Sequence, residues 1–187
     1  MNIIAGVDEV GRGSLAGPVI AAAVILDSEN EIAGLTDSKA LSKKNRQLLS
    51  ELIWSNALAI GIGRSESEEI DKFNILQSTF RAMLRAIDLL PIHPTTVLID
   101  GNRAPECDYQ IKTIVKGDLS ISEISAASII AKIIRDNEMV EMDTLYPGYD
   151  FASNMGYPTK KHIVALDKLG PSSIHRLSFS PVKNHCR

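Results

Sequence analysis

The sequence predicts an α/β domain in which a mixed sheet of about five strands is flanked by helices. Three observations predict this fold class. Short apolar, β-branched runs have the length of strands, amphipathic runs alternate with them, and 187 residues, 44% hydrophobic and 23% charged, suit one globular domain. We therefore expect residues 1–187 to form a single domain, with a helical and basic C-terminal segment from about residue 151.

The first half of the chain predicts three strands and two helices. The runs NIIAGV and VIAAAVIL are separated by Gly and Pro, which favours two strands over one helix. LSKKNRQLLSELIWS has apolar residues at helical spacing after an N-cap at Ser42, and ALAIGIGR predicts the third strand. Ser65 and Glu68 fit a capping box that opens a second helix with an apolar stripe in ILQSTFRAMLRAIDLL.

The second half predicts two more strands and two helices. TTVLIDG is a β-branched run that ends at Asp100, and YQIKTIV alternates like a fifth strand. Ser120 and Glu123 form a second capping-box pattern before a long helix over roughly 122–145. The small residues that begin at Ser125 favour close packing of this helix on the sheet, with a substrate contact by Ser125 as the alternative. TKKHIVALDKLG predicts a last amphipathic helix that stops at Gly170.

Composition excludes several classes of protein. The longest apolar run, VIAAAVIL, is too short to span a bilayer, and the first ten residues do not resemble a signal peptide, so we expect a soluble, cytoplasmic protein. Cys107 and Cys186 lie far apart and predict two free thiols rather than a disulfide framework or a zinc site. Aromatic residues make up 5% of the chain, too few for a platform that stacks single-stranded bases.

Charge is unevenly distributed along the chain. The net charge of −3 argues against a protein that coats nucleic acid. Residues 151–187 nevertheless carry +5, while residues 1–150 carry −8. The basic segment fits either a surface that contacts phosphates or a solvated tail. Its helix also carries His162, which we interpret as a surface histidine, and His93 lies between prolines in an expected loop without a chemical role.

Four acids share one kind of position. Asp8 and Glu9 end the first predicted strand, Asp100 ends the fourth, and Asp118 follows the fifth. Ligand sites gather at strand ends, and clustered carboxylates require a cation, for which oxygen ligands favour Mg²⁺ or Mn²⁺. Taken singly, each acid could instead be an exposed strand-end residue or a turn former. Adjacent strand residues face opposite ways, so Glu9 would reach a metal beside Asp8 through a distorted strand or through its backbone carbonyl.

The loop GRGSLAG follows directly after these first two acids. Its spacing differs from that of a dinucleotide-binding loop, and it lacks the Lys-Ser/Thr ending of a P-loop. We interpret it as a backbone that can approach a ligand closely, with Arg12 available to a phosphate.

These segments together resemble the type 2 ribonucleases H, specifically bacterial ribonuclease HII. Each motif is weak alone, but the set occurs in the family order over nearly the whole chain. The motifs are DEVGRG, DSKALS at 37–42, NILQST at 74–79, LIDG, KGD, SAASIIAKIIRD at 125–136, GYPTKKH at 156–162 and GPSSIHRLSF at 170–179.

The resemblance implies a ribonuclease H-like fold and a metal-dependent endonuclease. Such an enzyme hydrolyses the RNA strand of RNA–DNA hybrids, cuts 5′ of single ribonucleotides in duplex DNA to leave 3′-hydroxyl and 5′-phosphate ends, and serves ribonucleotide removal. Asp8, Glu9, Asp100 and Asp118 would be its catalytic metal site for Mg²⁺ or Mn²⁺, with two ions in the substrate complex. The implied partners are RNA–DNA hybrid and ribonucleotide-containing duplex DNA, without a membrane, and we expect a monomer.

The resemblance also implies substrate contacts. The segment from Gly11 through Arg12 to Gly13 would meet the ribose 2′-hydroxyl through its backbone, and Tyr157 would pack at the junction between ribonucleotide and deoxynucleotide. The remaining implied contacts, mainly to duplex phosphates, are Lys39, Ser125, Lys160, His175 and Arg176. Family members often carry a basic pair where this chain has Asn154 and Met155, and a second lysine in place of Ala40, which predicts weaker phosphate contacts here.

Three alternatives differ in substrate or chemistry. A ribonuclease HIII-like nuclease would prefer longer RNA tracts and carry an additional N-terminal domain, whereas the first strand here begins almost at Met1. A non-catalytic module that binds RNA–DNA hybrids would be expected to lack one of the acids. A metal hydrolase of small phosphorylated metabolites would leave the basic C-terminal segment unexplained.

Overall fold

The computed structural model describes residues 3–36, 38–39 and 41–185, and its centre is a mixed five-stranded sheet. Asp37, Ala40, Cys186 and Arg187, which figure in the sequence analysis, lie outside the described residues. The sheet order is β3-β2-β1-β4-β5. Strand β2 is antiparallel to both of its neighbours, β1 and β3, and β4 is parallel to both of its neighbours, β1 and β5. The strands are β1 (Ile4–Val10), β2 (Val19–Ile25), β3 (Ala59–Ser65), β4 (Thr96–Asp100) and β5 (Ile111–Ile114).

Six helices surround the sheet in the described part of the chain. They are α1 (Lys43–Asn56), α2 (Ser67–Asp88), α3 (Ser122–Leu145), α4 (Phe151–Asn154), α5 (Lys160–Leu169) and α6 (Ser180–Lys183). None of these helices is both long and apolar enough to cross a membrane. The predicted mixed sheet with flanking helices is confirmed, and α3 spans the predicted residues.

Strand β2 is buried on both faces and separates two layers of core. Its odd-numbered residues pack with α2 on one face, and its even-numbered residues pack with α1 and α3 on the other. Its three consecutive alanines leave room for helices on both sides. This arrangement fixes the helices above and below the ends of β1 and β4.

Gly6 in β1 allows α3 to approach the sheet at backbone distance. A Cβ atom at Gly6 would overlap the backbone of Glu123 and Ile124 in the first turn of α3. The small residues of α3 are buried against the sheet, as the sequence predicts. The start of α3 therefore lies directly on β1.

Both predicted capping boxes are wrong, although the Ser42 N-cap is observed. Ser65 is the last residue of β3, and its hydroxyl donates to Glu69 instead of capping a helix. Ser120 lies before the N-cap residue of α3, and its hydroxyl donates to the carbonyl of Lys116. In both cases the serine lies before the N-cap position of the helix, so its hydroxyl bonds a side chain of the helix or a carbonyl of the preceding turn instead of a free backbone N–H of the first turn.

The C-terminal segment packs on the glycine loop, residues 11–18. Leu15 and Ala16 of this loop share an apolar cluster with helices α4, α5 and α6. Backbone hydrogen bonds join the loop to the segment, from Leu15 N–H to the carbonyl of Gly156, from Gly17 N–H to the carbonyl of Ile174 and from Arg176 N–H to the carbonyl of Leu15. Residues near both ends of the chain thus build one wall beside the end of β1.

Candidate active site at the ends of two parallel strands

Three of the four predicted acids lie together at the ends of β1 and β4. These strands are parallel neighbours whose register pairs Val7 with Ile99. The next residue on each strand is an aspartate, Asp8 on β1 and Asp100 on β4, and Glu9 follows Asp8. Strand pairing therefore brings together carboxylates that lie far apart in the sequence.

The fourth acid, Asp118, lies in a 3-10 turn over Gly117–Leu119 that is attached to Asp100. The carboxylate of Asp100 accepts a 2.7 Å hydrogen bond from the N–H of Gly117. Ser125 is buried in α3, and its hydroxyl donates to the Asp118 carbonyl over 2.6 Å. Ser125 thus holds the acidic turn from inside, and a direct substrate contact by Ser125 stays a prediction.

Two of the clustered acids have raised pKa values. Burial raises the pKa of Asp8 well above its ordinary value, and the negative charges of Glu9 and Asp100 raise it further. Burial also raises the pKa of Glu9, although the Arg12 guanidinium opposes this effect. Carboxylates that raise one another's pKa gain from a bound proton or cation. The ends of β1 and β4 therefore favour cation binding.

β1 stays regular through both of its acids, which pair with successive alanines of β2. Asp8 accepts a hydrogen bond from Ser128 of α3, whereas Glu9 forms an ion pair of 3.2 Å with Arg12. The distortion considered for turning both acids to one face is therefore absent. Within residues 3–36, 38–39 and 41–185, no three His, Cys, Asp or Glu side chains already stand in the arrangement of a metal site.

A cavity of about 430 Å³ extends from Glu9 along α2. Its polar lining combines Glu9 and Asp100 with two cations, Arg12 and Arg103, and with Asn102. Sequence reasoning missed Asn102 and Arg103. The available signal was their position, because they follow directly after the strand-end Asp100.

A second cavity of about 320 Å³ extends from Glu9 on the other side, between α3 and the C-terminal segment. Lys39, Lys132 and Tyr157 line it. Lys132 was also missed; it lies one helical turn after Ser128 and forms a 2.7 Å ion pair with Asp136. The acidic centre thus has cationic side chains on both sides, which suits an extended polyanion.

Arg176 is fully buried beneath the glycine loop. Its guanidinium donates to the carbonyls of Gly11 at 2.7 Å, Arg12 at 2.9 Å and Gly17 at 2.8 Å. Burial and the nearby charge of Arg135 lower its pKa to about 9, so it stays charged at neutral pH. The expectation that Arg176 contacts duplex phosphates is wrong, because its guanidinium is buried and donates to backbone carbonyls of the loop.

Arg135 of α3 holds the other half of the same loop and was missed by sequence reasoning. It is fully buried and donates to the carbonyls of Pro18 at 2.9 Å, Ala16 at 3.1 Å and Met155 at 2.9 Å. A lone arginine within the apolar run of α3 was the available signal, since a buried charge requires such partners.

The two glycines implied to read ribose differ in their surroundings. Gly11 is buried with a φ of +93°, and a Cβ there would overlap the side chain of Arg135. Gly13 is exposed, and the nearest atom to an added Cβ would be a ring carbon of Tyr157 at 3.9 Å. Gly11 therefore shapes the loop, while Gly13 presents backbone to open space facing the Tyr157 ring.

His175 is buried rather than available to phosphates, so that expectation is wrong. Its Nδ1 accepts a 2.9 Å hydrogen bond from Ser172 N–H, and burial together with His162 lowers its pKa to about 4. His162, interpreted as a surface residue, is fully buried as well, and burial lowers its pKa. The helical period did not reveal this, because the side chains packed on His162 come from outside its helix, from Tyr149, Phe151 and His175.

The expected phosphate contacts that remain predictions are made by side chains on the protein surface. Lys160 is exposed at the start of α5, Lys39 lines the second cavity, and Arg12 is half-exposed beside Glu9. Asn154 is buried and shapes the turn before Tyr157, with its Nδ2 donating to the carbonyl of Tyr149. A basic side chain at position 154 would therefore disturb this turn.

Comparison with known proteins identifies close relatives. The family model described as Ribonuclease HII matches residues 5–182. The Ribonuclease HII of Pseudoalteromonas atlantica is 54% identical over 182 residues, which are 97% of this chain and 92% of the relative. The crystal structure of ribonuclease H2 from Pyrococcus horikoshii matches with a TM-score of 0.81 at 24% identity, covering 97% of this chain and 96% of that one.

A further solved structure, Bst-RNase HIII in complex with Mn²⁺, matches with a TM-score of 0.70 at 18% identity. It covers 98% of this chain and 69% of that one. At such identities these structures are evidence for the fold alone, and they confirm the ribonuclease H-like architecture.

Proposed function

Because the chain belongs to the ribonuclease HII family and is a ribonuclease H, we propose that it is a divalent-metal-dependent endonuclease. In this proposal it hydrolyses the RNA strand of RNA–DNA hybrids and cuts 5′ of single ribonucleotides in duplex DNA. It leaves 3′-hydroxyl and 5′-phosphate ends and serves the removal of ribonucleotides from DNA. The observation that carries the proposal is the meeting of Asp8, Glu9 and Asp100 beside a backbone segment that faces Tyr157.

The acids fit a divalent metal by their chemistry. The donors are all oxygen, which suits Mg²⁺ or Mn²⁺, and burial together with neighbouring negative charge raises the pKa values of Asp8 and Glu9. Asp8 and Asp100 would hold the metal by their side chains and Glu9 by its backbone carbonyl, since β1 stays regular, with Asp118 on the attached turn as the fourth acid. When bound, two ions would supply activation of the attacking water and stabilisation of the departing oxygen.

The chain's own side chains would bind and orient the duplex. Arg12 and Arg103 on one side and Lys39 and Lys132 on the other would meet phosphates, with Lys160 further out. These contacts carry no information about ribose, so they would position the duplex without selecting it.

Selection of the ribonucleotide would come from the wall opposite α3. The 2′-hydroxyl distinguishes RNA from DNA, and the exposed backbone at Gly13 can come close to it because no side chain intervenes. Tyr157 would pack on the neighbouring sugar. Residues 151–187 would thus belong to the substrate-binding part of one catalytic domain, acting as a monomer in the cytoplasm.

The proposal is tested with an RNA–DNA hybrid, chelator, added Mg²⁺ or Mn²⁺, and the variant Asp100→Asn. We expect cleavage only with metal, and a loss of at least about 100-fold in Asp100→Asn with hybrid binding retained, because the amide has the same shape but lacks the charge. The exposed Asp108 gives the matched control Asp108→Asn, which should cleave like the wild type. Full activity of Asp100→Asn, or hybrid binding without cleavage in either metal, would contradict the proposal.

A further inference from the structure

Two buried histidines form a hydrogen-bonded pair behind the substrate-binding wall. His162 on α5 and His175 approach each other with a distance of 3.0 Å between their Nε2 atoms. The rings of Tyr149 and Phe151 pack on both of them. No part of the hydrolysis described above uses either imidazole, so their burial in a polar pair calls for another role.

Hydrogen-bond chemistry determines which nitrogen carries the proton on each ring. The backbone N–H of Ser172 can only donate, and it lies 2.9 Å from Nδ1 of His175, so this Nδ1 accepts. The proton of His175 is therefore on Nε2, which donates to Nε2 of His162. The proton of His162 is then on Nδ1, 2.9 Å from the carbonyl oxygen of Tyr157, to which it donates.

This chain of donors favours neutral rings. A second proton on His175 would face the N–H of Ser172 at 2.9 Å, with only the Ser172 hydroxyl, 2.8 Å from the same Nδ1, able to accept it. A second proton on His162 would face the N–H of His175. Among the described contacts of the two rings, the aromatic side chains of Tyr149 and Phe151 offer no compensating negative charge. The two imidazoles thus hold opposite tautomers, Nδ1–H on His162 and Nε2–H on His175.

The chain ends on the backbone of Tyr157. The Tyr157 carbonyl also accepts a hydrogen bond from the N–H of Thr159, and the Tyr157 N–H donates to the carbonyl of Asn154. The ring is placed between the guanidinium of Arg135, 5.6 Å from its centroid, and the open side of Gly13. The backbone of Tyr157 is thus held at both polar groups, at the position from which its ring lines the second cavity.

The other member of the pair is connected to the glycine loop. His175 forms a β-bridge with Ala16, and the following residue, Arg176, holds the carbonyls of Gly11 and Gly17. The histidine pair therefore links the two parts of the wall, the loop that presents Gly13 and the segment that presents Tyr157.

We propose that His162 and His175, as two neutral imidazoles of opposite tautomer, are positioning residues that hold Tyr157 opposite Gly13 and so set selectivity for a single embedded ribonucleotide. This inference rests on the proposed function, in which Tyr157 packs at the junction between ribonucleotide and deoxynucleotide. A continuous RNA tract has ribose on both sides of every internal linkage, so a displaced Tyr157 affects it less.

The tautomers can be measured without any activity, by NMR of the full-length protein labelled with ¹⁵N in histidine. We expect an Nδ1–H tautomer for His162 and an Nε2–H tautomer for His175, both unchanged between pH 8 and about pH 6, since burial disfavours the charged ring. The exposed His93 provides the reference signal. Two identical tautomers, or protonation of either buried ring within that range, would overturn the inference.

The selectivity is tested with two variants at position 162. The amide of His162→Asn can still donate from the place of Nδ1, whereas His162→Leu fills similar volume without a donor. Relative to the wild type, His162→Leu should lower kcat/KM on a single-ribonucleotide duplex about tenfold more than on an RNA–DNA hybrid, because Tyr157 loses the buried hydrogen bond from His162 to its carbonyl. His162→Asn should keep the wild-type ratio of the two substrates.

The outcomes separate the inference from the proposed function. A wild type that cuts hybrids but not single ribonucleotides contradicts the proposed function and leaves the tautomers as the test of the pair. A wild type that cuts both, with an unchanged ratio in His162→Leu, overturns the inference alone. If thermal unfolding shows that His162→Leu does not fold, the NMR measurement on the wild type decides.

Discussion

Ionised Asp8 lowers the stability of the folded protein at the position where the proposed catalytic metal would bind. It is buried beneath the end of β1, and both the burial and the adjoining charges of Glu9 and Asp100 raise its pKa. An acid whose pKa is raised by folding destabilises the folded state whenever it is ionised. The protein keeps this cost at the position where a cation would be bound.

Replacing Asp8 by Asn should therefore stabilise the metal-free protein while abolishing cleavage. The amide oxygen can still accept the hydrogen bond that Asp8 receives from the N–H of Glu9. At pH 8 we expect the free energy of unfolding to rise by about 1 kcal/mol or more, since one unit of pKa shift corresponds to about 1.4 kcal/mol. Urea unfolding with chelator measures this, and the gain should shrink toward pH 5. Lower stability at pH 8 would contradict the argument.

The two glycines of the ribose-facing segment give a second prediction at the residue scale. Gly13→Ala should fold normally, because its Cβ has space, but should cut ribonucleotide substrates at least about tenfold more slowly, because the methyl group occupies the approach to the backbone. Gly11→Ala should lose about 1 kcal/mol or more of stability through its positive φ and the overlap with Arg135. Melting curves beside cleavage rates distinguish the two, and normal cleavage by Gly13→Ala would remove Gly13 from the site.

At the scale of elements, the glycine loop takes its shape from distant parts of the chain. Arg135 on α3 and Arg176 in the C-terminal segment occupy the carbonyls of the loop from both sides. A loop whose carbonyls are already bonded needs little further ordering when substrate arrives. The C-terminal segment thus contributes to the site mainly by holding backbone in place.

The buried histidine pair in this segment predicts how stability depends on pH. Burial lowers the pKa of His175 to about 4, so the unfolded chain binds a proton below about pH 6.5 that the folded chain does not. Stability from this group is full above pH 6.5 and is lost as the pH falls toward 4, by roughly 3 kcal/mol. His175→Asn should be less stable than the wild type at pH 8, with a difference that narrows toward pH 4.5. Parallel stability curves would contradict a neutral His175.

Local sequence patterns predicted which strands and helices form, but they predicted the N-termini of two helices incorrectly. The apolar runs and the small-residue face of α3 depend on neighbours in sequence, and the sheet with its helices follows them. The capping boxes failed because Ser65 and Ser120 belong to the elements that precede the helices. A hydroxyl can serve either element, and only the tertiary contacts decide which.

At the scale of the whole molecule, sheet topology makes the site. Placing β4 parallel beside β1 brings Asp100 to Asp8, and the hydrogen bond from Gly117 to Asp100 attaches the turn with Asp118. The sequence showed four acids at strand ends, but spacing alone could not show that they converge. Resemblance to a known family supplied that step, and the structure provides a physical reason for it.

The same long-range packing explains the errors at His175 and Arg176. Both were expected at the surface because they lie in a basic segment, yet the segment folds back over the glycine loop and buries them. The cations that line the two cavities beside the acids include Arg103 and Lys132, which lie outside that segment. Net charge along the sequence is thus a poor guide to which cations face a ligand.

The central claim is that this site cuts DNA at a single ribose, and one measurement tests it directly. Two end-labelled duplexes of identical sequence, one with a single ribonucleotide and one all-DNA, are incubated with protein and Mg²⁺ or Mn²⁺, and the products are mapped. We expect one cut, on the 5′ side of the ribonucleotide, with 3′-hydroxyl and 5′-phosphate ends and an intact all-DNA duplex. Equal cutting of both duplexes, or no cut in either metal, would contradict it.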